Sequence, residues 1–338
     1  MSKMKAMQVQ EPGGDFVPVE LDLPEPEEQQ IRIRVEACGI CHSDQFIKDN
    51  LFPGLSYPRI PGHEVVGTVD KTGDSVSQWK EGQRVGVGWH GGHCFECDPC
   101  RSGDFVNCDN AIATGIYIDG GYAQYMVANQ EAVAAVPEGL SSAGAAPLLC
   151  AGITTFNPLR NSNAKPGDLV AVQGIGGLGH LAVQFAVKSG FKTVAISRTA
   201  EKEELAKELG AHEFLVDDNG SAAEKLQEMG GAKVILATAP SAKAVSSIIP
   251  GLGRNGKLFV LGVSNEPIEV SSLDLIMGRK SIGGWPSGNA KASEEMLSFS
   301  DLSGVEAMIE KYPLEKANEA YERMITNKSR FRVVLEVA

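Results

Sequence analysis

The sequence predicts a two-domain α/β protein, in which a mostly-β part is followed by a doubly wound parallel sheet. Its 338 residues, 43% hydrophobic and 22% charged, are sufficient for two domains with separate cores. Up to residue 150, short β-branched runs alternate with Gly- and Pro-rich turns, which is typical of a compact β domain. Beyond residue 150, short apolar runs alternate with helix-like segments, which indicates a parallel sheet.

Charge and hydropathy exclude several classes of protein. The 31 Lys and Arg residues against 43 Asp and Glu give a net charge of −12, so we expect no nucleic-acid partner. The opening residues lack the apolar segment of a secretory signal, and the apolar run around Pro147 is too short to span a bilayer, so we expect no membrane partner. Seven cysteines, an odd and mostly clustered set, favour metal or thiol chemistry in a cytoplasmic protein over a disulfide framework.

The predicted β domain carries a first set of metal-ligating residues beside its strands. The strand patterns are IRIRVEACGI, EVVGTVDKTG, GQRVGVGW and YAQYMVA. Cys41 follows the first pattern, His63 precedes the second, and Cys150 ends the domain. Two cysteines and a histidine with an open fourth position match a catalytic zinc site. Spacing alone leaves another interpretation open, because cysteine is often a small buried apolar residue and a lone histidine is often a core residue.

A second set, of four cysteines, falls at C-x2-C-x2-C-x7-C. Its members are Cys94, Cys97, Cys100 and Cys108. This spacing lets a tight loop surround one tetrahedral zinc ion, and four thiolates leave no open position for substrate. The alternatives are redox dithiols and a nucleic-acid zinc ribbon, but four cysteines exceed what a dithiol needs and the negative charge disfavours the ribbon. The pattern therefore predicts a structural zinc site, with His90 and His93 as loop residues outside it.

The predicted parallel sheet begins at a glycine-rich turn. Its strands are DLVAVQG, TVAIS, HEFLV, KVILATA and KLFVLGV, with helices such as GHLAVQFAVKSG between them, and a final strand ends the chain. Gly174, Gly176 and Gly179 form G-x-G-x-x-G between the first strand and its helix, with Gly177 inside the loop. These glycines allow a tight turn, close approach to a pyrophosphate and close helix packing. The other interpretation is a tight turn without a ligand, and the strand–helix–strand context favours dinucleotide binding.

The end of the second strand of this sheet bears on the choice of dinucleotide. Ser197 stands where an acidic residue would bind the ribose 2′-hydroxyl of NAD. Arg198 and Lys202 follow, and both carry charges that can pair with a 2′-phosphate. They can also be solvated charges at a helix start. The missing carboxylate favours NADP(H) over NAD(H).

Taken together, these motifs resemble the zinc-dependent medium-chain alcohol dehydrogenases, most closely their cinnamyl-alcohol dehydrogenase and aldehyde reductase branch. The resemblance is carried along the whole chain by CGICHSD, PGHEVVG, the four-cysteine set, GGYAQYMV, APLLCAGIT and GIGGLGH. It implies a GroES-like catalytic domain over residues 1–150, completed by 285–338, and a Rossmann domain over 151–284. It further implies two zinc ions per chain, one held by Cys41, His63 and Cys150 and one by the four-cysteine set.

The resemblance also implies roles for residues around the first zinc. Glu64 is expected behind the metal, where it can coordinate transiently, and Asp44 is expected to fix the tautomer of the histidine ligand. The Ser43 hydroxyl is expected to bind the substrate oxygen. From the residues alone, these three are a strand-start carboxylate, a turn-stabilising aspartate and a helix N-cap.

Further residues are placed by the same resemblance. His42 is expected to meet the cofactor pyrophosphate, and Thr154 and Leu178 to lie near the nicotinamide. Relatives often have a histidine where this chain has Phe46, so the proton relay is expected to end at water, at the ribose hydroxyl or at His42. Cys38 is expected to be a buried thiol next to the site and not half of a redox pair.

The implied activity is hydride transfer between NADP(H) and a primary or secondary alcohol or its carbonyl, in an oligomer of two or four copies. A cysteine as third ligand and the presence of the four-cysteine set favour simple alcohols and aldehydes over polyols. Trp89 and Trp285 are candidates for the substrate pocket, although tryptophan is more often core packing. An NAD-dependent enzyme of the same fold is the nearest alternative, and a non-catalytic, zinc-stabilised dinucleotide-binding protein is the alternative of another class.

Overall fold

The structure, a computed structural model, describes residues 2–218 and 220–337. It divides into two compact units, Met1–Ile153 with Ser287–Ala338, and Thr154–Pro286. The strands are β1 (Lys3–Val9), β2 (Phe16–Asp22), β3 (Gln30–Ile40), β4 (Val65–Thr72), β5 (Arg84–Val87), β6 (His90–Gly92), β7 (Ile112–Ala113), β8 (Tyr125–Asn129), β9 (Val133–Ala135), β10 (Leu169–Gln173), β11 (Lys192–Ser197), β12 (Glu213–Val216), β13 (Ala232–Ala237), β14 (Leu252–Val260), β15 (Ser281–Gly284), β16 (Ile309–Pro313) and β17 (Arg332–Glu336). The α-helices are α1 (Asp44–Lys48), α2 (Asp98–Arg101), α3 (Ser142–Ala145), α4 (Ala151–Arg160), α5 (Gly179–Lys188), α6 (Glu203–Glu208), α7 (Ala222–Glu228), α8 (Ala242–Ile248), α9 (Ser272–Gly278), α10 (Ala290–Ser303) and α11 (Ala317–Ile325).

The first unit, which we call the β unit, is built on a seven-stranded mixed sheet in the order β16-β17-β3-β4-β5-β9, with β8 also paired to β3. Along β3, Ile31, Ile33 and Val35 are buried in the core, whereas Arg34 between them is exposed. This alternation is the period of a strand with one apolar face. The predicted mostly-β domain is therefore confirmed, and β17 from the end of the chain lies between β16 and β3.

The second unit, the α/β unit, contains a six-stranded parallel sheet in the order β12-β11-β10-β13-β14-β15. All five residues of β10 are buried, as expected of a strand covered on both faces. The strand order runs outward in both directions from β10, which is the doubly wound arrangement that binds dinucleotides. The predicted parallel sheet is confirmed.

Two elements differ from the sequence prediction. β14 begins at Leu252, five residues before the apolar run that predicted it, and its pairing with β13 is irregular between Ala232 and Val234. His90, expected in a loop, lies in β6 and is only 6% exposed. The two glycines that follow His90 suggest a turn, whereas its pairing partner, β7, lies some twenty residues further along the chain.

Within the described part of the chain, every helix is too short or too polar to cross a lipid bilayer.

Candidate functional site

Two groups of metal-ligating side chains are assembled in the β unit. One consists of Cys41, His63, Glu64 and Cys150, and the other of Cys94, Cys97, Cys100 and Cys108. In each group, one potential ligand atom per residue lies within 4.8 Å of all the others. Thiolate and imidazole are the donors that zinc prefers in proteins. The two sets separated in the sequence are thus also two separate clusters in space.

The first group forms where β3 ends and β4 begins. These strands are antiparallel neighbours, so Cys41, one residue after β3, comes next to Glu64, one residue before β4. The backbone N–H of Gly39 donates to the Glu64 carbonyl over 2.9 Å. A Cβ atom on residue 39 would lie 1.9 Å from Glu64 Oε2, so only glycine fits against this carboxylate. Cys150 arrives from the segment just before α4.

The sulfur and nitrogen atoms of the first group lie close together, as the ligand atoms of a metal site must. Cys41 Sγ and Cys150 Sγ are 3.7 Å apart, and contact with Cys150 holds the pKa of the Cys41 thiol well below its ordinary value. His63 is fully buried, and neither its Nε2 nor Glu64 Oε2 has a hydrogen-bond partner among the described residues. Buried polar atoms are rarely left without a partner. Two thiols and an unpartnered ring nitrogen converging on one point fit a zinc ion.

The carboxylate of Asp44, which the family resemblance implies as the group that orients the imidazole, lies next to His63. The carboxylate is 1% exposed, and its Oδ1 is 3.2 Å from His63 Nδ1, at an angle away from that of a straight hydrogen bond. Its other oxygen accepts the backbone N–H of Cys41 over 2.9 Å and the hydroxyl of Tyr122 over 2.8 Å. A carboxylate oxygen that faces one ring nitrogen of a histidine leaves the other nitrogen, here Nε2, available for a metal.

Arg332 is a residue of the site that sequence reasoning missed. It comes from β17, is 6% exposed, and its guanidinium pairs with Glu64 Oε1 and contacts the carbonyl of Ile40 at 3.3 Å. Burial raises the pKa of Glu64, and Arg332 opposes that shift by favouring the charged carboxylate. The available signal was an arginine directly before the apolar run VVL of the final strand, since a buried arginine needs an anionic partner.

Side chains predicted for substrate and cofactor surround the first group. His42 is exposed, and Ser43, half-buried, precedes α1 without using its hydroxyl as a helix cap. The Trp89 ring lies edge-on to His63, with centroids 5.0 Å apart. Phe46 packs against Phe52 and Trp89 at 5.0 and 6.3 Å, which makes this side of the site aromatic. Cys38 is fully buried, and burial raises its pKa well above the ordinary thiol value.

The sulfur atoms of the four-cysteine group lie close to one another near α2. Cys108 Sγ is 3.6 Å from Cys94 Sγ and 3.8 Å from Cys97 Sγ. It also accepts the backbone N–H groups of Cys94 and Asn110, each over 3.3 Å. Backbone donors on a sulfur stabilise the thiolate that a zinc ion binds. The residues therefore fit a closed tetrahedral site.

In the α/β unit, the glycine loop joins β10 to α5. Gly174 has φ +91°, a left-handed conformation that glycine adopts without strain. A Cβ on Gly179 would lie 1.8 Å from the Gly174 carbonyl oxygen, whereas a Cβ on Gly176 would meet nothing within 4 Å. Gly177 and Leu178 are half-exposed before α5. Close packing at Gly179 and open space at Gly176 fit a loop that carries a pyrophosphate.

The residues expected to choose between the two dinucleotides lie at the end of β11. Ser197 is half-buried, Arg198 is exposed, and Lys202 Nζ donates to the carbonyl of Ile175 in the glycine loop over 2.5 Å. Burial, followed by the charge of Arg198, lowers the pKa of Lys202. Two cationic side chains therefore lie at this edge of the loop.

Two further predicted residues also lie in the α/β unit. Thr154 is half-buried in α4, and Trp285 is half-buried with its ring 5.7 Å from that of Phe259. The ring contact with Phe259 leaves both interpretations of Trp285, core packing and substrate pocket, as predictions.

Known proteins match both units. Residues 27–138 match the alcohol dehydrogenase GroES-like domain, and residues 177–301 match the zinc-binding dehydrogenase family. Alcohol dehydrogenase patD of Penicillium expansum is 44% identical over 334 residues, covering 99% of this chain and 98% of its own. An alcohol dehydrogenase of Geobacillus stearothermophilus is 37% identical over 320 residues, covering 94% of this chain and 95% of its own.

Solved structures agree with these relatives. The cinnamyl alcohol dehydrogenase SbCAD4 of Sorghum bicolor aligns with a TM-score of 0.89 at 32% identity, over 99% of this chain and 98% of its own. A CAD from Helicobacter pylori, solved in complex with NADP(H), aligns with a TM-score of 0.87 at 28% identity, again over 99% and 98%. The chain therefore belongs to the zinc-type medium-chain alcohol dehydrogenase family.

Proposed function

We propose that this oxidoreductase is a zinc-dependent alcohol dehydrogenase or aldehyde reductase that uses NADP(H) and acts on a primary or secondary alcohol or its carbonyl. The observation that supports it most is the convergence of Cys41, His63 and Cys150, with His63 Nε2 buried and without a partner among the described residues. A glycine loop suited to a dinucleotide is part of the same chain. A metal and a hydride carrier are the two requirements of this reaction.

In this proposal, Cys41, His63 and Cys150 hold the catalytic zinc, and Glu64 is available as a further ligand. Zinc supplies Lewis acidity toward the substrate oxygen, and the nicotinamide carries the hydride. Two thiolates and a neutral imidazole leave a fourth position open. Arg332 holds Glu64 through Oε1, while Oε2 remains available on the side of the ligands.

The remaining residues handle the proton and the orientation of substrate. Ser43, whose hydroxyl does not cap α1, donates to the substrate oxygen and passes its proton on. Phe46 cannot continue a relay, and it packs on Phe52 and Trp89, so no proton path runs through this aromatic side. In carbonyl reduction the proton is then returned to Ser43 from the exposed His42, from water or from the ribose hydroxyl, and in alcohol oxidation it leaves by the same route. The same aromatic side chains supply an apolar wall for the organic part of the substrate.

The four-cysteine group holds a second, structural zinc. Four thiolates complete a tetrahedral shell, so this metal has no position for substrate and serves to fold its lobe. A non-catalytic protein that kept only this metal would have a broken first group. Because the complete first group is present, we favour the enzyme.

NADP(H) is preferred over NAD(H) in this proposal. Ser197 brings no negative charge to the end of β11, and Arg198 and Lys202 lie where a 2′-phosphate would be bound. The H. pylori neighbour in complex with NADP(H) is consistent with this preference. Because the NADP pool of a cell is usually kept reduced, carbonyl reduction is the proposed direction. The nearest alternative is an NAD-dependent enzyme with the same metal site.

We also propose that the protein is a cytoplasmic homo-oligomer. Clustered thiols that bind metal need a reducing compartment. β15 ends the order of the parallel sheet, and an edge strand pairs readily with the same edge of a second copy. On the neighbouring α9, Leu273, Ile276 and Met277 are 64%, 70% and 76% exposed. Large exposed apolar side chains next to a free edge support a second copy as the partner.

The proposal is tested by carbonyl reduction with purified, zinc-replete protein. An aromatic aldehyde is offered with NADPH and NADH in parallel, and zinc is counted in the same preparation. We expect two zinc ions per chain, turnover with NADPH, and an NADPH preference that Ser197→Asp reduces by about tenfold or more through charge repulsion with the 2′-phosphate.

Ser221→Asp, which adds the same charge at the start of α7, is the matched control and is expected to leave the preference unchanged. Turnover with NADH alone would contradict the roles of Ser197, Arg198 and Lys202 but keep the reductase. One zinc per chain together with no turnover across a panel of aldehydes would contradict the enzyme.

A further inference from the structure

Tyr122 is a buried phenol next to the first metal group. It is 0% exposed, and its hydroxyl donates to Asp44 Oδ2 over 2.8 Å. Its ring packs edge-on against Phe16, with centroids 5.5 Å apart. A tyrosine this deep in an apolar core requires a partner for its hydroxyl, since an unmade hydrogen bond there is costly. The partner here is the carboxylate that faces His63.

The hydroxyl of Tyr122 fixes which oxygen of Asp44 faces the histidine. Asp44 Oδ2 accepts two donors, the Tyr122 hydroxyl and the Cys41 backbone N–H at 2.9 Å. The other oxygen, Oδ1, is left toward His63 Nδ1 at 3.2 Å. Two donors from different directions on one oxygen define the plane of the carboxylate. Without the hydroxyl, only the N–H of Cys41 would resist rotation of the carboxylate.

The ring and backbone of Tyr122 also hold the residues just before His63. A Cβ on Gly62 would lie 2.5 Å from the Tyr122 ring, so the backbone at Gly62 rests directly against it. The N–H of Tyr122 donates to the Pro61 carbonyl, and the N–H of Gly121 to the Gly62 carbonyl, each over 3.0 Å. Tyr122 is therefore connected to His63 in two ways, through the carboxylate of Asp44 and through the backbone that precedes His63.

We propose that Tyr122 is a positioning residue for the metal ligand His63, acting through the carboxylate of Asp44 and the backbone of Gly62. The proposal rests on the proposed zinc site. In the sequence, Tyr122 is only part of the GGYAQYMV motif and has no assigned role. A hydrogen bond that orients the partner of a metal-bound imidazole stabilises the bound metal, because the ligand then needs less reorganisation.

The test compares zinc release from the holoprotein and two tyrosine variants. Tyr122→Phe removes the hydroxyl and keeps the ring. Tyr321→Phe is the matched control, because Tyr321 is also buried, at 6% exposed, and packs edge-on against the same Phe16 at 5.3 Å, but makes no hydrogen bond to Asp44. Release is followed with the colorimetric chelator 4-(2-pyridylazo)resorcinol, below the melting temperatures of all three proteins.

The four-cysteine zinc serves as an internal reference in each protein. We expect Tyr122→Phe to release one of its two zinc equivalents about tenfold faster than the parent, with the other equivalent unchanged, and Tyr321→Phe to behave as the parent. Cobalt(II) substituted at the faster site should show an altered visible absorption spectrum in Tyr122→Phe alone, which a general loss of stability would not produce.

Equal release from Tyr122→Phe and the parent would overturn the inference while leaving the zinc site in place. Acceleration of both equivalents, or the same acceleration in Tyr321→Phe, would also overturn it, because the effect would then be a general loosening of the core. A parent that binds a single zinc and turns over no aldehyde would overturn the proposed function, and the inference with it.

Discussion

At the scale of single residues, two glycines of the same loop are required for different reasons. Gly179 has no room for a side chain, since a Cβ would lie 1.8 Å from a backbone oxygen that cannot move alone. Gly176 has open space around it within 4 Å. The first glycine is therefore required by folding, whereas we propose that the second is required by a ligand that comes close to the backbone.

These two positions give a paired prediction. Gly179→Ala is expected to lower the free energy of unfolding by about 1–3 kcal/mol, because the added methyl overpacks the turn. Gly176→Ala is expected to change that free energy by less than about 1 kcal/mol but to weaken NADPH binding about tenfold or more. Urea unfolding and fluorescence titration with NADPH measure the two effects. Unchanged affinity in Gly176→Ala would contradict pyrophosphate binding at this loop.

Some residues of the site could be predicted from short sequence motifs, whereas the contacts of others depend on residues that are distant in the sequence. Cys41 and the glycine spacing could be singled out because each motif lies within a few residues and its chemistry depends on residue type. The pairing of Arg332 with Glu64 and of Tyr122 with Asp44 could not be predicted, because these partners lie 268 and 78 residues apart and only folding brings them together. Neither arginine nor tyrosine is among the usual zinc ligands, so no zinc-ligand pattern includes them.

At the scale of elements, Glu36 ties β3 to its neighbours. Its two carboxylate oxygens accept the hydroxyls of Thr68 in β4 and Ser142 in α3, each over 2.6 Å. Burial raises the pKa of Glu36, but these hydroxyls and nearby arginines outweigh it and leave the pKa below its ordinary value. Because the folded-state pKa is lowered, the carboxylate stabilises the fold above its unfolded-state pKa. That stabilisation is lost as the pH falls through the folded-state value.

Glu36→Gln is therefore expected to destabilise the protein in a pH-dependent way. At pH 7 the free energy of unfolding should fall by roughly 1–2 kcal/mol, since a charge-assisted hydrogen bond is lost on a partly exposed group. The difference from the parent should shrink at acid pH, where the parent carboxyl is protonated. Denaturant unfolding across pH measures it, with Glu20→Gln on the exposed side of β2 as control. A difference independent of pH would contradict the role of the charge.

A helix or strand could be predicted from the sequence where its own residue pattern was sufficient to specify it. The short, mostly apolar and β-branched runs of β10 and β13, each bounded by turn residues and alternating with helical patterns, predicted buried parallel strands. The early start of β14 was not predictable, because Leu252 to Gly256 has a glycine-rich, polar pattern and becomes a strand only through pairing with β13. The strand β6 was not predictable either, because its residues form a strand only through pairing with β7.

At the scale of the whole molecule, the exposed apolar face of α9 leads to a prediction about assembly. We expect the parent to elute as a dimer or larger, and Leu273→Lys to raise the dissociation constant about tenfold or more, because a buried leucine contributes about 1.5–3 kcal/mol. Light scattering after size exclusion measures it. Leu302→Lys on α10, where the leucine is 88% exposed, is the control. A parent that is monomeric at all concentrations would contradict the proposed oligomer.

The position of β17 between β16 and β3 imposes an order on biosynthesis. Arg332 follows its partner Glu64 by 268 residues, and at about 5–20 residues per second a ribosome needs roughly 15–50 s to make that length. All strands of the α/β unit leave the ribosome within this interval, so its sheet can form first. The three predicted zinc ligands are exposed on a nascent chain whose central β3 still lacks one neighbour and whose Glu64 still lacks its cation. We therefore expect the proposed metal site to be among the last parts of the protein to mature.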